Sequence, residues 1–175
     1  MNSKGQKQRH FIWDNLGKIK EARGELGEEM PIFIYRLMQY TILDVLSKTY
    51  GLEQANKFVR QAGHLAGSEF AENGLYLAAN FNKFIANLTK ILRDLKIGIL
   101  RMENYNPQTG GIVFTISQDL DYSGMPMTDE KASVYNEGFI AGILEAYTGK
   151  TYNIQKTDCM EKGKRICRFC GDVMA

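Results

Sequence analysis

The sequence predicts an α+β domain with four main helices and a four-stranded antiparallel sheet. Three observations predict it. Apolar residues recur at helical spacing through residues 31–96, and the period changes from 3.6 to 2 near Ile97. A last helical run, about 130–148, then separates two stretches that read as β-hairpins. With 175 residues, 44% of them apolar, the chain suits one substantial core and is too short for two ordinary domains.

In chain order, a basic arm over 1–25 (Lys4, Lys7, Arg9, Lys18, Lys20, Arg23) precedes a single domain over 26–175. Pro31 suits a first helical turn, and Ile34, Leu37, Met38, Thr41, Ile42, Val45 and Leu46 then mark a helical face expected to be core. Gly51 ends that helix. The next carries Ala55, Phe58, Val59, Ala62, Ala66 and Phe70 on one side and stops at Asn73-Gly74. A third runs from Asn80 to Lys96, apolar at Phe81, Phe84, Ile85, Leu88, Ile91, Leu92 and Leu95, and polar at Lys83, Asn87, Lys90 and Asp94.

Ile97 and Ile99 lead through Asn106-Pro107 and Gly110-Gly111 to Ile112, Phe114 and Ile116, which alternate with Val113, Thr115 and Ser117 as a hairpin strand does. Asp119 to Thr128 reads as a loop, and Thr128, Asp129 and Glu130 supply a cap and negative charge to the fourth helix. Gly149 is its left-handed stop. Tyr152 and Ile154 then open a strand that turns at Glu161-Lys162-Gly163-Lys164 and returns through Ile166 to Phe169. The pattern Gly-x-x-Ala-Gly occurs twice, at Gly63–Gly67 and Gly138–Gly142, each inside a helix. A helical glycine costs about 1 kcal/mol relative to alanine, so four of them imply close helix-on-helix or helix-on-sheet packing.

Charge excludes one class of partner. Lysine and arginine number 22 against 20 aspartate and glutamate, a net charge of +2, which gives no field for sequence-independent binding to nucleic acid. No stretch approaches the ~18 apolar residues of a membrane span, and no apolar signal-peptide core is present, so a cytoplasmic protein is expected. Catalytic machinery is equally sparse. The two histidines are His10 and His64, and His64, inside a helix, suits a packed or hydrogen-bonded role better than acid-base work. No nucleophile elbow, His-Glu-x-x-His or strand-borne Gly-x-Gly-x-x-Gly is present, so no catalytic residue, no cofactor and no enzymatic activity are assigned.

All three cysteines lie within 159–170. If the turn centres on Gly163, Cys159 and Cys167 face each other about 4.5 to 5.5 Å apart, whereas Cys170, three positions on, points to the other face. Metal binding, redox pairing and plain packing all remain open for them. Cys159 shares strand parity with Asn153 and Gln155 and not with Tyr152 and Ile154, so a bulge between Gln155 and Cys159 is expected.

The run Glu137-Gly138-Phe139-Ile140-Ala141-Gly142, followed by Cys159 and by Cys167-Arg168-Phe169, resembles the 4-vinyl reductase or hydrocarbon-binding domain family, most strongly over residues 97–170. That resemblance implies a fold similar to subunits of vesicle-tethering complexes, a pocket for small apolar molecules, and often zinc held by Cys, Glu, Cys and Cys. By position the zinc ligands would fall on Ser133, Lys156, Cys159 and Cys167. A hydroxyl is a poor zinc ligand and an ammonium has the wrong charge, so the site is degenerate and no metal is expected; Lys156 instead suits an ion pair standing in for the metal.

In the arrangement the resemblance implies, Phe84, Leu88, Ile112, Phe114, Phe139, Ile143, Tyr147 and Ile154 converge as ligand-binding residues, with Met125-Pro126-Met127 as a lid. The expected function is a stand-alone intracellular binding or sensor domain for an apolar or aromatic molecule. It is expected to be a homodimer that signals to a separate protein. The alternatives are an adaptor or assembly subunit, for which exposed apolar residues on the first two helices would speak, and a reductase-associated protein of tetrapyrrole metabolism.

Overall fold

A computed structural model describes residues 10–124, 134–158 and 166–174. The chain divides into two units, Met1–Met30 and Pro31–Ala175. The first holds a 3-10 turn, Trp13–Leu16, and one helical turn, α1 (Ile19–Ala22), neither with a buried residue.

The second unit contains α2 (Ile32–Tyr50), α3 (Leu52–Gly74), α4 (Phe81–Asp94), β1 (Ile99–Tyr105), β2 (Ile112–Ser117), α5 (Tyr135–Thr148), β3 (Tyr152–Asp158) and β4 (Ile166–Val173). It is the expected α+β layout. Asn80 caps α4, its side chain accepting from the Lys83 N–H at 3.1 Å, and places Phe84, Leu88 and Leu92 at the i, i+4, i+8 spacing that buries one face. The left-handed Gly149 closes α5. The strands form one antiparallel sheet in the order β1-β2-β4-β3. Along β2, Ile112, Phe114 and Ile116 are buried in strict alternation, and Phe114 lies opposite Phe169 of β4, the two rings stacked at 5.0 Å. The expected bulge is present in β3, where the register with β4 shifts between Lys156 and Asp158.

The two Gly-x-x-Ala-Gly segments explain each other. Gly63 and Gly67 of α3 lie against the backbone of Tyr135 and Phe139 in α5, while Gly138 and Gly142 of α5 lie against the backbone of Arg60 and His64 in α3. The absent side chains let the helix backbones touch, burying Gly138 to Leu144 of α5 without a break.

Two helical faces differ from expectation. α2 has no buried residue: Ile34, Leu37, Met38, Ile42 and Val45, expected in the core, are exposed, and the inward positions are Tyr35, Arg36, Gln39, Tyr40, Leu43 and Leu46. The periodicity of α2 correctly marks an apolar face, but the helix is held to the rest of the unit by polar bonds on its other side. In α3 the buried positions are Ala55, Gly63, Gly67 and Ala71, whereas Phe58 and Ala62 are not among them, because contact with α5 selects the small-residue face over the larger apolar one. Among the described residues, no helix is long and apolar enough to cross a membrane.

Candidate functional site

Seven of the eight expected pocket residues are buried together: Phe84 and Leu88 from α4, Ile112 and Phe114 from β2, Phe139 and Ile143 from α5, and Ile154 from β3. The eighth, Tyr147, is partly buried against them, its ring stacked on Phe84 at 3.9 Å and its hydroxyl donating to the Ala79 carbonyl at 2.9 Å. The stack continues outward: Phe81 lies 6.2 Å from Tyr147 and 3.8 Å from Tyr105. A series of four rings, Tyr105, Phe81, Tyr147 and Phe84, therefore leads from the half-buried margin between α4 and β1 into the core.

Beside this core lies a polar cluster that periodicity did not reveal. Asp119 and Asp121, read above as loop residues, are 3% and 1% exposed. Asp119 Oδ1 accepts from the N–H groups of Asp121 (2.7 Å) and Tyr122 (3.2 Å), and its Oδ2 accepts from Asn136 Nδ2 at 2.8 Å. Asp121 Oδ1 accepts from the Tyr35 hydroxyl at 2.9 Å, and Gln39 is a second side-chain partner of the same carboxylate. Two more bonds fix α2 to this turn, from Arg36 Nε to the Leu120 carbonyl at 2.8 Å and from the Tyr40 hydroxyl to the Asp121 carbonyl at 3.2 Å. The sequence did hold a signal: Asn136 and Glu137 are polar residues opening an otherwise apolar helix, and each needs a buried partner.

Burial dominates the electrostatics here. Desolvation, reinforced by the neighbouring Asp121 charge, pushes the Asp119 carboxyl up to about 7, and desolvation also raises Asp121 despite the Tyr35 hydrogen bond. The Tyr35 and Tyr122 hydroxyls are pushed far upward for the same reason and stay protonated. Glu137 is paired with Arg60 and accepts from the Lys156 backbone N–H at 2.9 Å, and Arg60 Nη1 also donates to the Ile154 carbonyl at 3.0 Å. This network joins α3, α5 and β3.

Lys156 occupies the position where a zinc ligand was implied. Its ammonium lies 4.1 Å above the Tyr122 ring and acts electrostatically to lower both Asp119 and Asp121. A cation already sits beside the two buried carboxylates, so the donor set does not fit a metal ion. Cys167 is buried, while Cys170 lies on the opposite face, 3.8 Å from Thr157 Oγ1. Ser133, Cys159 and the Met125–Met127 lid lie outside the described residues. Among the described residues, no three His, Cys, Asp or Glu side chains are grouped to hold a metal. Lys156→Met, which keeps most of the packing and removes the charge, should destabilise the fold by about 1–2 kcal/mol at pH 8. The loss should be smaller at pH 5, where the unfolded-state carboxyls remain ionised but Asp119 is protonated in the fold. Urea unfolding at the two pH values checks this.

His64 Nε2 lies 2.9 Å from Glu145 Oε2 on the α3–α5 seam, a hydrogen-bonded structural position of the kind expected for it.

These features place the chain in a class of small α+β domains with a sheet backed by α4 and α5 and an apolar, aromatic-rich core. Residues 112–172 match the vinyl-4-reductase domain, the family that the sequence resembles. The fold is similar to the phenol-responsive sensory domain of the transcription activator PoxR, bound to phenol, with TM-score 0.62 and 15% identity over 84% of this chain and 78% of that one. It is similar to a vinyl-4-reductase family protein of Methanocaldococcus jannaschii (TM-score 0.57, 17% identity, 98% and 100% covered). It is also similar to trafficking protein particle complex subunit 3 of Naegleria fowleri, covalently bound to palmitic acid (TM-score 0.60, 14% identity, 82% and 95% covered). Identities this low establish the shared fold and leave the ligand to the chemistry of this chain.

Proposed function

We propose that this chain is a non-catalytic, cytoplasmic binding or sensor domain for a small apolar or aromatic molecule, acting as a homodimer and signalling through a separate protein. The ring series Tyr105–Phe81–Tyr147–Phe84 carries this reading, since it offers a graded path of flat apolar surface from the margin to the core. The rings already stack on one another, so a ligand enters by displacing a ring, and Tyr147, held by one hydrogen bond to Ala79, is the ring to move. Phe84, Leu88, Ile112, Phe114, Phe139, Ile143, Tyr147 and Ile154 would then line the site. The phenol-responsive sensory domain of similar fold supports a ligand of this class.

A thermal-shift panel of phenol, substituted phenols, a polycyclic hydrocarbon and a porphyrin tests it. At least one compound should raise the melting temperature by several degrees, as selective binding to the native state requires. Tyr147→Ala should weaken that response. A panel that leaves the melting temperature unmoved at millimolar ligand would defeat the proposal.

A second reading, an adaptor subunit, is favoured by the exposed apolar residues on α2 and α3, with Leu37 at 59% and Val45 and Leu52 at 60% exposure. The likeness in fold to a trafficking-complex subunit supports it. Capture of a stoichiometric partner in place of self-association would decide for it.

A further inference from the structure

The geometry points to the outer face of α2 as a self-complementary interface, on which α2 of a second copy of this chain packs antiparallel. This rests on the homodimer reading above and names its surface; it is independent of the ligand. The face is apolar without interruption over three turns: Phe33, Ile34, Leu37, Met38, Ile42 and Val45 are 38–66% exposed. Six such side chains offer roughly 600 Å² per copy, most of the ~800 Å² per partner that a stable interface buries, before flanking residues are counted.

Shape and charge both select a second copy. A groove of about 520 Å³ opens along this face between Phe33 and Asp44, with Leu37 and Tyr40 in its wall, wide enough to take side chains of a facing helix. The groove and the stripe share one centre, near residues 38–40. A two-fold axis there lays the Phe33–Ile34 end of one helix against the Ile42–Val45 end of the other, apolar on apolar throughout. The charged residues at exposed positions of α2 are Asp44 and Lys48, paired to each other at 2.6 Å, so the face carries no net charge that would call for an oppositely charged partner. The antiparallel arrangement also brings Asp44 near the first turn of the facing α2. That turn has no acidic residue and no side-chain cap, and its positive dipole end favours a carboxylate. A parallel pair would instead set Asp44 beside Asp44.

Sedimentation velocity and photo-crosslinking test this on the full chain. The wild type should sediment at twice 19.9 kDa. The double variant Leu37→Glu, Val45→Glu should sediment as a monomer while keeping its far-UV circular dichroism, since both sites are well exposed. With p-benzoylphenylalanine replacing Leu37 in a mixture of isotopically light and heavy chains, the cross-linked peptide should join the two isotopes and contain residues 41–45. A dimer that persists in the double variant, or crosslinks landing on residues 10–30 or on an unrelated protein, overturns the α2 interface and leaves the dimer reading standing. A monomeric wild type overturns both, and the thermal-shift panel is untouched by either result.

Discussion

Gly142→Ala should destabilise the protein by about 3 kcal/mol or more, and Gly67→Ala with Gly142→Ala together should abolish folding. At an ordinary helical position the same change gains about 1 kcal/mol, so the expected sign is reversed. A Cβ on Gly142 would run into the His64 carbonyl and approach the Ser68 nitrogen. One on Gly67 would run into the Phe139 carbonyl. The obstacles are backbone atoms on both sides, so no rotamer change relieves them and the helices must separate. Separation would uncover the long buried run from Asn136 to Leu144. Gly74→Ala is the control, because a Cβ there meets only the Phe70 ring at ordinary contact distance, 3.7 Å, and should leave the urea midpoint nearly unchanged.

Stability should fall as pH rises from about 4 to about 7, the reverse of the usual carboxylate behaviour. Asp119 has its folded pKa raised to about 7 from the ordinary 3.8. Between those values the native state holds a proton that the unfolded chain has lost, so unfolding releases it and becomes easier at higher pH. Asp121, also raised, contributes in the same direction. The net slope is measured by thermal unfolding at pH 5, 6, 7 and 8 against Asp119→Asn, which keeps an acceptor for the Asp121 and Tyr122 N–H groups but cannot ionise. The variant should lose most of the slope, and a slope equal to that of wild type would refute the assignment. Asp119→Ala should be far worse at every pH. It strands three buried donors, each costing about 1–3 kcal/mol when unmatched.

Much of the architecture was legible in the residues. α4 shows its face, cap and stop in sequence because one side meets the sheet and the other meets water, the condition under which period and burial coincide. The β3 bulge followed from a parity conflict between Ile154 and Cys159, and the paired glycine motifs from the energetic cost of four helical glycines. α2 shows where the argument from periodicity ends: it identifies an apolar stripe and says nothing of whether this chain covers it. Asp119 and Asp121 were hidden for another reason. Acidic residues after a strand look like a solvated turn unless their partners are known, and the partners, Tyr35 and Asn136, lie on helices distant in sequence. The pocket residues converge as the family resemblance implied, and their role as ligand contacts rests on the thermal-shift experiment.

The short turn from Asp119 to Tyr122 is stitched to α2 through Tyr35, Arg36 and Tyr40 and to α5 through Asn136. It behaves as a rivet through two plates. If an incoming molecule levers α5 aside by even a fraction of a bond length, the rivet either drags α2 along or shears a bond in a place shut off from solvent. The cheaper course is to drag, and the face that moves is then the bare apolar one that α2 turns outward.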